Sequence, residues 1–253
     1  MRTKIVIASL LAFGMFAVVV QAQQGRGGFG GMGGVTQLVT QKAVQEELKM
    51  TDEQVTKVGD WAKDFRTKAM EIMKDKGVDF GGGFKGGKGG QPNPEMAEKM
   101  AAASAEVNKV AFKELGDVLK KEQVERLKQI EIQNMGVSAF VDPEVAEALK
   151  LNDSQKTSIK GMVADLNKDR RDIMTEAGLG GGNFKKGGGG AAPDMEKMQE
   201  AQKKVQKVQK EYVAKAMDLL NDDQKKTWKT MIGTPFDLSK LSMGGGRGRT
   251  KQE

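Results

Sequence analysis

The chain has 253 residues, a formal net charge of +7, 33 glycines, 5% aromatic residues, and neither His nor Cys. Without Cys, disulfides contribute nothing to the fold. The two absences together remove the usual zinc ligands and the usual neutral-pH base and nucleophile, which argues against most hydrolytic and metal-dependent enzymes.

The first 22 residues read as an export signal. Arg2 and Lys4 precede an apolar run from Ile5 to Val20, and Val20-Gln21-Ala22 supplies a small-x-small cleavage pattern. The run is shorter than the ~20 residues a spanning helix wants. No membrane span is therefore expected after cleavage, and the mature protein is expected to be periplasmic or secreted. Residues 23–34 form a Gly-rich tail expected to be disordered.

From residue 35 onward the composition turns to helix formers, interrupted by Gly-rich linkers at 77–91 and 178–192. No alternating pattern is present, so the fold class is all-α. Val44 to Gln54 aligns with Val145 to Gln155, and Leu119 to Gln123 with Leu220 to Gln224, at one offset of 101 residues. Two tandem helical-hairpin units follow, 35–135 and 136–242, with coiled-coil-like arms, Gly-rich tips and a Gly/Arg-rich tail at 243–253.

The helix starts are marked locally. Thr51 with Gln54, Asn152 with Gln155, and Asn221 with Gln224 are capping boxes; Lys120 replaces the capping residue before Gln123, a weaker start by about 1 kcal/mol. Asn93-Pro94 and Asp142-Pro143 place a cap before Pro in a first turn. Beyond Thr51, Val55, Val58, Ala62, Phe65, Ala69 and Ile72 form a 3-4 seam. In the second unit Arg170 interrupts the corresponding stripe of Ile159, Val163, Leu166 and Ile173. The returning helix shows Met198, Ala201, Val205, Val208, Tyr212, Ala216 and Leu219 at similar spacing.

These four sites, Met50 to Gln54, Leu119 to Gln123, Leu151 to Gln155 and Leu220 to Gln224, resemble the Leu-Thr-x-x-Gln motif of the Spy/CpxP-type periplasmic proteins. That family carries two such motifs on one helical hairpin, so this chain resembles a fused pair. The resemblance implies an ATP-independent chaperone or envelope-stress modulator, commonly a homodimer, with unfolded or envelope proteins as clients. Metal sensing through His and Cys, known in some members, does not transfer.

Other signals have plainer readings. Gly82 to Gly89 matches the first positions of a phosphate loop, but Gly89 stands where Ser or Thr would hold Mg²⁺, and low-complexity linker explains it better. The Arg-Gly tails are too sparse in Arg to indicate nucleic acid. Met70, Met73, Met96 and Met100, with Met174, Met195 and Met198, gather near the arm ends. Core filling is their simplest role, client contact the second, and soft-metal binding a remote third. No cofactor is expected. The basic excess sits in the tails and in Lys85, Lys88, Lys185 and Lys186 of the linkers. A structural protein touching anionic envelope polymers is the alternative to the chaperone.

Overall fold

The computed structural model describes residues 34–78, 94–178 and 195–241, among which every regular element is helical. The all-α expectation holds for them. The export signal, the tails apart from Gly34, the phosphate-loop-like stretch, the four linker lysines and nearly all of both linkers lie outside the described residues.

Helices α1 (Gly34–Val39) and α2 (Lys42–Glu47) lead into α3 (Asp52–Asp75), whose start is the capping box at Thr51. Of its seam, Val58, Phe65 and Ala69 are buried and Val55, Ala62 and Ile72 half-buried. At its end the Val78 N–H donates to the Met73 carbonyl at 2.9 Å and the Gly77 N–H to Lys74 at 2.9 Å, closing the last turn. Val78 itself is 3% exposed, so this linker residue belongs to the core rather than to the tip.

Helix α4 (Pro94–Leu115) returns antiparallel to α3. Its direction is fixed by Gln54 against the Val118 carbonyl and by Trp61 Nε1 donating to Glu114 at 2.9 Å. Lys68 also pairs with Glu114. Burial pushes the Glu114 carboxyl up, but hydrogen bonds from Lys68 and Trp61 and the nearby lysines outweigh it and hold it below the usual carboxylate range. Helix α5 (Lys121–Met135) follows, then a 3-10 turn (Gly136–Val141).

The second half consists of α6 (Pro143–Ala148), α7 (Asp153–Glu176), α8 (Met195–Asp218) and α9 (Asp222–Ile232). Asp142 caps α6, accepting from the Glu144 N–H at 2.9 Å. Two hydrophobic clusters result: one built from α1 to α5 around Phe65, Leu115, Leu127 and Ile130, the other from the 3-10 turn to α9 around Phe140, Leu149, Ile159 and Leu166.

One local expectation is corrected. Leu219 is 37% exposed, because α8 ends at Asp218 and the next residue, Leu220, takes the buried place. Arg170 is exposed, in keeping with its interruption of the stripe, and the neighbouring Asp169 turns inward to accept from the Tyr212 hydroxyl at 3.0 Å. In residues 233–241, assigned from sequence to the second unit, Phe236 and Leu241 pack against the first cluster.

Candidate binding cleft

The glutamines of the four motifs do more than cap. Gln54 Oε1 accepts from its own Thr51 N–H at 3.1 Å, completing the capping box. Its Nε2 donates to the Val118 carbonyl at 3.0 Å and to Gln123 Oε1 at 2.8 Å. Gln123 answers in kind: Oε1 accepts from the Lys120 N–H at 2.8 Å, and Nε2 donates to Gln54 Oε1 at 3.1 Å and to the Leu48 carbonyl at 2.9 Å. Each amide thus spends its acceptor and both donors on one helix start and on its partner. Lysine has no side-chain acceptor, so at Lys120 only the glutamine half of the box exists.

The second half repeats the pair. Gln155 Nε2 donates to Gln224 Oε1 at 2.8 Å, the reverse bond is 3.1 Å, and Gln224 Nε2 reaches the Leu149 carbonyl at 3.1 Å. The carbonyls are aimed by two lysines in the left-handed region, Lys49 at φ 50° and Lys150 at φ 51°. Gln123 and Gln224 are 9% and 8% exposed. With their side chains engaged in these bonds, Thr51, Gln54, Gln123, Asn152, Gln155, Asn221 and Gln224 form braces between helix starts.

A cleft of about 370 Å³ lies where α8 meets the end of α5 and the residues after α9. Ile132, Val213, Trp228 and Ile232 line it, and Phe236 and Leu238 form one wall. The Trp228 ring stacks on Phe140 with centroids 4.0 Å apart, which fixes the floor. Gln206, Gln209, Lys210 and Asp237 add the polar lining. Hydrogen bonds from the Ser239 side chain and backbone, with Lys240 and Lys210 nearby, hold the Asp237 carboxyl below its ordinary range.

The wall is a strap held by its main chain. Gln133 Nε2 donates to the Ile232 carbonyl at 2.6 Å and the Thr234 carbonyl at 2.9 Å, while its Oε1 accepts from the Phe236 N–H at 2.7 Å. Arg126 adds a bond to the Thr234 carbonyl at 2.7 Å. The hinge is Gly233, at φ 58°, where a Cβ would run into the Gln129 side chain. Gly136 is its counterpart, at φ 60° against Gln209.

The methionines are not drawn into one group. Met73 is buried and Met100 half-buried in the first cluster, whereas Met70 and Met96 are 40% and 36% exposed. Met174 and Met198 are half-buried; the Met195 side chain lies outside the described residues. Among the described residues no group of three or more Asp or Glu side chains is placed to hold a metal ion. One carboxyl stands apart. Glu131 on α5 is 7% exposed and accepts from Asn108 Nδ2 at 2.6 Å. Burial, with Asp142 and Glu144 adding to it against Lys128, pushes its pKa up to about 7.

Sequence reasoning found the caps but missed the cleft and the strap. The available signal was Phe236, an aromatic after Pro235, followed by Leu238 and Leu241. Compared with protein-family models, curated proteins and solved structures, the chain matches none.

Proposed function

We propose that this chain is an exported, non-enzymatic binding protein of the Spy/CpxP type, built as two tandem helical-hairpin units and holding unfolded or envelope proteins without nucleotide. The observation that carries the reading is the cleft: an apolar floor open to solvent, edged by amides, one lysine and one aspartate. Such a surface can accept apolar side chains while hydrogen-bonding a polypeptide backbone, a combination that suits many clients weakly rather than one tightly. The half-buried and exposed methionines along α3 and α4 supply adaptable contact of the same kind.

The test is suppression of aggregation. A chemically unfolded client diluted into an equimolar amount of this protein should stay soluble without ATP, and Trp228→Ala or Val213→Glu should weaken that protection several-fold. Unchanged aggregation with the wild-type chain would sink the proposal.

A second reading has its own observation. Lys203, Lys207 and Lys210 are exposed at i, i+4 and i+7 on α8, one face of the helix. That stripe suits contact with anionic envelope polymers. Binding to a polyanion that disappears in moderate salt and in a triple Lys→Gln variant, with no client protection, would favour it.

A further inference from the structure

We infer that the groove on α5 holding residues 233–241 is a binding site for polypeptide segments that bear an aromatic residue and turn after it, with this chain's own strap as the resident stand-in. The inference rests on the polypeptide-binding reading above and gives it a place and a ligand class.

Three features of the groove carry it. The first is how the strap is read. Gln133 and Arg126 contact only main-chain atoms: the Thr234 carbonyl twice and the Phe236 N–H once, beside the Ile232 carbonyl at the end of α9. Main-chain readout ignores side-chain identity, as it does in extended-peptide capture. Side-chain contact with the first cluster is confined to Phe236 and Leu241, while Thr234, Pro235, Asp237, Ser239 and Lys240 are exposed. A segment with an apolar residue five positions after an aromatic would satisfy the same contacts.

The second feature is that the clamp is built before the strap arrives. The Arg126 guanidinium is fixed by Glu47, with Nε and Nη2 donating to its carboxylate at 2.9 and 2.6 Å, and by Gln129 at 3.0 Å. Its side chain is 16% exposed. Lifting the strap leaves this donor in place, so a replacement segment meets a preorganised partner.

The third is continuity. Phe236 and Leu238 wall the cleft floored by Trp228, so displacement of the strap joins groove and cleft into one channel. Apart from one 3-10 turn, Leu238–Lys240, the strap has no regular structure, and its residues are half-buried at most. Segments of this kind open locally at low cost.

The experiment uses the full chain and a fluorescein-labelled peptide matching residues 233–241, read by fluorescence anisotropy. Phe236→Ala loosens the resident strap and spares the clamp; it should bind the peptide at least fivefold more tightly than the wild type. Adding Gln133→Glu, which can accept from one N–H but cannot donate to carbonyls, should weaken binding at least tenfold. Arg126→Lys, which keeps the charge and loses the fork, decides the matter if Gln133→Glu disturbs α5; it should weaken binding at least threefold. A peptide with Ala for its Phe should bind at least tenfold more weakly. Equal affinity for wild type and Phe236→Ala, or no loss on altering the clamp, would overturn the inference. So would concentration-dependent dimerisation lost in Phe236→Ala, which would make a second copy the occupant. Peptide binding without client protection defeats the chaperone reading alone; protection unaffected by clamp variants, without peptide binding, defeats this inference alone.

Discussion

Replacing Gln123 by Ala should destabilise the protein by about 3 kcal/mol. The side chain is 9% exposed and makes four bonds of 3.1 Å or shorter, to Leu48, Lys120 and twice to Gln54. The Lys120 and Leu48 bonds contribute about 1 kcal/mol net each, and the buried Leu48 carbonyl left without a donor costs about a further 1 kcal/mol, while solvent replaces the bonds to Gln54. Gln123→Met, which restores the volume, should recover under half of the loss, because packing is the smaller part. Gln123→Glu is the sharper probe. Its carboxylate can still accept from Lys120 and Gln54, but it presents oxygen to the Leu48 carbonyl and to Gln54 Oε1. Its pKa should therefore be raised in the folded state. Stability should be best preserved at acid pH, where the neutral acid donates one bond, and should fall as pH rises through the folded pKa. Urea melts followed by far-UV circular dichroism give each value at constant m. A double-mutant cycle with Gln54→Ala should show coupling of about 1 kcal/mol or more. A loss below about 0.5 kcal/mol for Gln123→Ala, or a neutral Glu variant at pH 7, would refute the brace.

Three further outcomes are expected. The Glu131 carboxyl, pushed up to about 7 by burial and by Asp142 and Glu144 against Lys128, binds more protons folded than unfolded. Stability should therefore decline by roughly 2–3 kcal/mol as pH rises from about 4.5 to about 7, and Glu131→Gln should flatten that decline in pH-dependent melts. Lys49→Gly relieves a left-handed lysine without touching its carbonyl, so it should raise stability by about 0.5–1 kcal/mol; a loss in the same urea assay would contradict that. Gly233→Ala combines a positive φ with a Cβ forced into Gln129, so it should free the strap, measured as faster hydrogen exchange at the Phe236 amide while the α7 amides stay protected.

What the sequence made legible was local. Thr51, Asn152 and Asn221 sit three residues before a glutamine, and a cap needs nothing more distant than that. The offset between Val44 and Val145 was equally visible, being a match of letters. The brace was not, because Gln54 and Gln123 are 69 residues apart and each already looks satisfied inside its own box. A signal did exist: the same separation recurs between Gln155 and Gln224. The strap was hidden for a different reason. Gln133 is one amide among many on a polar helix, and Thr234-Pro235-Phe236 carries turn chemistry that fits a loop going anywhere. Leu219 was misplaced because helical periodicity stops applying where the helix stops.

The strap also sets an order on biosynthesis. Every residue buried in the first cluster has been made by Ile130, yet the Arg126 bond to Thr234 spans 108 residues, and Phe236 arrives later still. At about 5–20 residues per second, a ribosome takes roughly 5–20 s to cover that stretch. During that interval α5 displays its clamp with nothing in it, and the face that Phe236 will cover stays wet. The buried part of the first cluster thus exists in full before the residues that close over it have been made.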